Sequence, residues 1–116
     1  MYIKKDNLKI ETEENSKGIS TLFVSDLADF EEKNAKLRTF ALAKLIPDEE
    51  VEFHIHEGEC EYYYIISGEA LYNDNGKEVS LCAGDTTFTP SGTGHGIKNI
   101  GKNNLEFIAL IIRDKS

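Results

Sequence analysis

From residue 38 onward the chain alternates apolar and polar positions in short runs, each closed by turn residues, the period-two signature of β-strands. "RTFALAKLI" reads as a strand ended by Pro47 and Asp48. In "VEFHIH", Val51, Phe53 and Ile55 are expected on one face and Glu52, His54 and His56 on the other. "EYYYIIS" is rich in aromatic and β-branched residues and stops at Gly68. "EALYND" runs into Asn75 and Gly76, a two-residue hairpin signal, and "KEVSLC" returns from it. "AGD" closes that strand, "TTFT" follows, and after the loop "PSGTG" come "HGIKN" and "LEFIALIIR". Short strands at this spacing, with no convincing long helix, predict an all-β sandwich or barrel.

Residues 1–37 differ from the rest: they are charge-rich, with strand-like patches at 8–11 and 19–25 and a weak helical signal over 28–36. The segment is too short to be a domain of its own and reads as an arm on the same core. The expectation is one domain over residues 1–116, with an arm at 1–37 and a barrel at 38–116. Residues 62–66 and 105–112 are apolar on both strand faces, so they call for cover on the outside as well as inside. The arm or a second subunit would supply it, and a homodimer is expected.

Composition narrows the partners. The chain has 116 residues, enough to bury a core without disulfides, and no run of eighteen apolar residues, so no membrane span is expected. Its first residues are too polar for a secretory signal, which places the expected location in the cytoplasm. A net charge of −8 disfavours nucleic acid and anionic membranes, which both reward basic surfaces. The two cysteines, Cys60 and Cys82, read as reduced thiols, Cys82 as a core residue rather than a ligand.

The chemistry gathers on three histidines, His54, His56 and His95. Side chains at i and i+2 of a strand share a face, so His54 and His56 can converge on one ion. A histidine pair alone is more often a satisfied polar pair than a site. A metal site also wants a carboxylate or a third imidazole, and Glu61 and His95 each open a strand that a closed barrel can bring inward. Glu57 and Glu59 compete with Glu61 as the oxygen donor. By parity Tyr63 shares the face of Glu61, and Ile97 that of His95, making both candidate pocket walls, while Tyr62 and Tyr64 look outward. Arg38 and Lys44 share a parity, and either could meet an anionic ligand if that face is inward.

The spacings complete a larger pattern. His54, one residue, His56, four residues, Glu61, six residues, Gly68 is followed by Gly84, five residues, Pro90, one residue, Gly92, two residues, His95, three residues, Asn99. These resemble the two signature motifs of the cupin superfamily, in order and at full spacing, over roughly residues 40–112. One departure is Asp48, where the first motif normally has glycine; aspartate also suits a turn. The resemblance implies a double-stranded β-helix, jelly-roll in type, with a metal held inside by His54, His56, Glu61 and His95. The six-residue gap selects Glu61 over its neighbours; Glu59 shares the strand parity of Glu61 and could hydrogen-bond behind the ligands, but surface solvation is its expected role. It implies one divalent transition metal ion, among manganese, iron, nickel, zinc, cobalt and copper. Asn99 reads as the brace of a turn. Relatives of this kind include dioxygenases, decarboxylases, lyases and isomerases, so the expected function is a metal-dependent enzyme acting on a small oxygenated metabolite. The alternative is a non-catalytic module that binds a sugar or another small molecule.

Overall fold

In the computed structural model of the chain, residues 4–7, 9–15, 18–24 and 36–115 are described, residues 9–15 and 18–24 by their backbone pairing alone. The expected helical turn at 28–36 lies, apart from Lys36, outside the described residues. A 3-10 turn (Lys5–Asn7) precedes ten strands: β1 (Lys9–Asn15), β2 (Gly18–Val24), β3 (Leu37–Leu45), β4 (Glu50–Ile55), β5 (Glu59–Ser67), β6 (Glu69–Asp74), β7 (Lys77–Cys82), β8 (Thr86–Thr89), β9 (Gly94–Asn99) and β10 (Leu105–Arg113). They form two antiparallel sheets, one ordered β1-β2-β3-β10-β5-β8 and the other β4-β9-β6-β7. This is the expected all-β double-stranded β-helix, and β1 and β2 extend the larger sheet by pairing onto β3. Among the described residues no helix is long and apolar enough to cross a membrane.

Strict alternation builds the interior. On β5, Glu61, Tyr63 and Ile65 are buried while Tyr62, Tyr64 and Ile66 are exposed. Ala41, Ala43 and Leu45 of β3 and Leu105, Phe107 and Ala109 of β10 face the same core, joined from the smaller sheet by Ala70, Tyr72 and Ile97. The outer face of the larger sheet stays aromatic and open: Phe40, Tyr62, Tyr64, Ile66 and Phe88 are each 41–49% exposed. Cys82 is exposed rather than in the core, because β7 is an edge strand with little packed on it; both cysteines are free.

Two β-bulges break the alternation where it matters. Val51 pairs with Ile97 and His54 with His95, so Glu52 and Phe53 together stand against Gly96 alone. The extra residue shifts the face. Val51 packs on the core beside Ile97, not outward with Phe53 and Ile55, and His54 still points inward. Gly96 is needed there: a Cβ would lie 3.0 Å from the Phe53 nitrogen and 3.1 Å from the Val51 carbonyl oxygen. The second bulge is on β3, where Ile111 pairs with Thr39 and Ile112 with Leu37, leaving Arg38 as the extra residue.

Turns lock the ends. Asp48, at the glycine position of the first motif, has φ of 72°, which explains why glycine suits that position and why aspartate is tolerated. Asn99 is fully buried; its Nδ2 donates to the carbonyls of Leu45 and Asn103, both at 2.9 Å, and its Oδ1 accepts from the Gly101 amide. It braces the β9–β10 turn against the end of β3. At Gly68, φ is 98° and a Cβ would fall 2.8 Å from both the Asn104 carbonyl oxygen and the Leu105 Cα. Gly68→Ala is therefore expected to destabilise the protein by about 2–3 kcal/mol in urea titration, since backbone strain adds to a backbone clash.

Candidate metal centre

Four side chains from both sheets meet inside the barrel. His54 comes from β4, His56 from the residue just past its end, Glu61 from β5 and His95 from β9. The last three are buried, and one ligand atom from each of the four lies within 4.8 Å of the others. His54 Nε2 is 3.1 Å from His56 Nε2, which is 3.2 Å from His95 Nε2. Glu61 Oε1 is 2.8 Å from the Nε2 of both His56 and His95.

The outward nitrogens decide what these inward atoms can do. His54 Nδ1–H donates to the Glu52 carbonyl at 2.7 Å, and His56 Nδ1–H to Glu59 Oε2 at 2.7 Å. His95 Nδ1 lies 2.9 Å from both the Tyr72 hydroxyl and Thr89 Oγ1. With the Nδ1 of His54 and of His56 committed to acceptors, their Nε2 atoms turn lone pairs toward the same point, and the His95 Nε2 does so when its Nδ1–H donates to one of the two hydroxyl oxygens. Lone pairs and a carboxylate oxygen at this spacing repel one another unless positive charge sits among them. Three imidazole nitrogens and one carboxylate oxygen fit a divalent transition ion, and on a six-coordinate ion they leave positions open. Burial pushes the His54 imidazole below its ordinary pKa, partly offset by its bond to the Glu52 carbonyl, and His95 and His56 lower it further. It is thus neutral, the form that binds metal.

Tyr63 is buried, and its ring stacks on His95 with centroids 4.8 Å apart and planes 23° from parallel. Burial, then the charge of Glu61, raise its hydroxyl well above the usual tyrosine pKa. Ile97 faces the same interior, but it packs in the core and does not line the cavity beside the four ligands. That cavity, of about 480 Å³, has Ala41, Ala43, Phe107, Ala109 and Ile111 as its apolar wall and His54, His56, Glu61 and Tyr63 on the polar side.

Glu59 is drawn in rather than left to solvent. Its Oε2 accepts both the His56 Nδ1–H and, at 3.1 Å, a proton of Arg38 Nη1. Arg38 lines the cavity; Lys44, on the regular part of β3, alternates to the other face and does not. Tyr72 and Thr89 were beyond motif spacing. Their only signal was parity: Tyr72 shares its face with Ala70, and Thr89 with Thr87 on β8, opposite inward Tyr63.

Comparison with known proteins agrees with this geometry. The model of the Cupin domain family matches residues 41–111. An oxalate-binding protein of Thermotoga maritima is 48% identical over 89 residues, 77% of this chain and 74% of that one. An oxalate decarboxylase of Bacillus subtilis is 30% identical over 98 residues, 80% of this chain but 25% of the enzyme, so the chain spans about a quarter of its length. A crystal structure described as that of a predicted oxalate decarboxylase from Thermotoga maritima aligns with a TM-score of 0.86 and 41% identity, covering 97% of this chain and 99% of that one. A KdgF structure from Halomonas, with a TM-score of 0.77, 15% identity and coverage of 97% and 93%, shares the fold alone.

Proposed function

The chain belongs to the cupin family, and from that footing we propose that it is a metal-dependent binding protein for a small carboxylate. The observation that carries this reading is the convergence of three imidazoles and one carboxylate at the side of a cavity of about 480 Å³ whose other wall is apolar. His54, His56, Glu61 and His95 would hold a divalent ion, which would supply positive charge to carboxylate oxygens.

The protein's own residues do the rest. Ala41, Ala43 and Ala109 keep the far wall short and leave room for a ligand. Phe107, Ile111 and Val51 exclude water around it, which strengthens every charge interaction inside. Tyr72, Thr89 and Glu59 hold the rings of His95 and His56 in one orientation. Oxalate is the ligand class that the Thermotoga relative's description suggests.

Binding is favoured over turnover by what surrounds the ligand space. Among the described lining residues, Glu59 is held by Arg38 and His56, Glu61 belongs to the ligand group, and the Tyr63 proton is tightly kept. Glu52, exposed at the rim, is the carboxylate left for proton transfer. It supports the second reading, a decarboxylase or another metal-dependent enzyme of the types named above.

Calorimetric titration of oxalate into metal-loaded protein is expected to show saturable binding that treatment with a chelator abolishes. Absence of binding by the loaded form would refute the proposal. Formate and carbon dioxide accumulating beyond one equivalent per chain would favour the enzymatic reading instead.

A further inference from the structure

The bulge in β3 singles out Arg38. On a regular strand its even position would point away from the core, as Lys44 does; the extra residue at the Thr39–Leu37 register shift turns it to the cavity. It is the one lysine or arginine among the described residues lining that cavity. Its side chain is 44% exposed, and its Nη1 lies 3.1 Å from Glu59 Oε2. The other ionised groups near the mouth, Glu52 and Glu59, are negative. An anion entering this acidic chain therefore meets two carboxylates and one guanidinium before it reaches the metal ligands.

We infer that Arg38 is the specificity-determining residue of the cavity: it leaves Glu59 for a second carboxylate on the bound ligand and so selects dicarboxylates over monocarboxylates. This rests on the metal-and-carboxylate reading above. Guanidinium matches a carboxylate in two-pronged geometry and stays charged at any working pH. Glu59 is not abandoned in the exchange, because the oxygen that Arg38 gives up is the same Oε2 that accepts the His56 Nδ1–H. The swing costs one half-exposed ion pair, a small term in water, and replaces it with a shielded one inside the cavity.

The test compares two chelating probes on the metal-loaded full chain. Oxalate carries a second carboxylate; glycolate offers a neutral hydroxyl in its place. Arg38→Gln is expected to weaken oxalate binding by about 10–100-fold, the usual size of one lost charge-assisted contact, and to change glycolate binding by less than about threefold. Arg38→Lys should recover part of the oxalate affinity, since it restores charge without the fork. Metal content and melting temperature of each variant are read alongside. Equal losses for both probes, or no loss for oxalate, would overturn the inference while leaving the functional reading standing. Failure of oxalate to bind the loaded wild type would overturn both.

Discussion

Protein carrying His54→Ala together with His56→Ala is expected to purify with less than a tenth of the metal bound by the wild type, measured by elemental analysis without added metal. Removing the two imidazoles leaves Glu61 and His95, a pair that cannot enclose an ion. The loss should far exceed the ~10–100-fold that deletion of a mere hydrogen-bond partner costs. The fold should survive, because His54 is only half-buried with its Nδ1 bond to the nearby Glu52 carbonyl, and Glu59, the Nδ1 partner of buried His56, keeps its contact with Arg38. In fact, separating three lone pairs and a carboxylate held within 4.8 Å of one another relieves repulsion in the metal-free state. A far-ultraviolet spectrum like that of the wild type would establish that the metal was lost through its ligands. Unchanged metal content would show that the ion sits elsewhere.

The second large effect is on stability. Phe107 is 1% exposed, and its ring lies 4.6 Å from that of Tyr63, which in turn stacks on His95. Phe107→Ala is expected to cost about 3–5 kcal/mol in denaturant unfolding, the range for deleting a buried aromatic ring. The lower end is favoured because this ring borders a cavity, so part of the lost contact area already faced open space. Phe107→Leu should recover most of that loss. A cost below about 1 kcal/mol for the alanine variant would mean that the ring column does not hold the core together. Because Tyr63 is the middle member of the column, the same variant should also loosen the His95 ring, and a fall in metal affinity beside the fall in stability would show it.

The strands and the four ligand residues were legible because both are governed by short-range arithmetic. A period of two puts Tyr63 inward and Tyr62 and Tyr64 outward with no knowledge of their neighbours, and the structure keeps that order. Motif spacing brings Glu61 and His95 into the same frame as the histidine pair, and the four do lie together. The facing of Val51 and the shared face expected for Arg38 and Lys44 failed for one cause. Val51 and Arg38 each stand at or beside an extra residue, and a bulge is defined by the partner strand, which a single strand's sequence does not contain. Gly96 was the available hint for the first; nothing in "KLRTF" marks the second. Glu59 was read as a solvated surface residue for a related reason: one of its partners is an arginine twenty-one positions earlier, beside the bulge. Cys82 went astray because its burial depends on whether β7 is an edge strand, which is a matter of sheet order.

The bulge at Glu52 and Phe53 also bears on how this strand can change. Its two halves are out of phase: before it the odd position Val51 seals the core, and after it the even positions His54 and His56 carry the ligands. A regular strand could not put both sets on one side, and losing a single residue here would cast out either the seal or the ligands. A one-residue deletion, tolerated in many surface loops, would therefore act at this place like a frameshift in three dimensions. Conversely, substitutions on either side of the bulge are uncoupled in register, so the hydrophobic seal and the metal-facing pair can drift independently so long as the inserted residue and the glycine opposite it stay together.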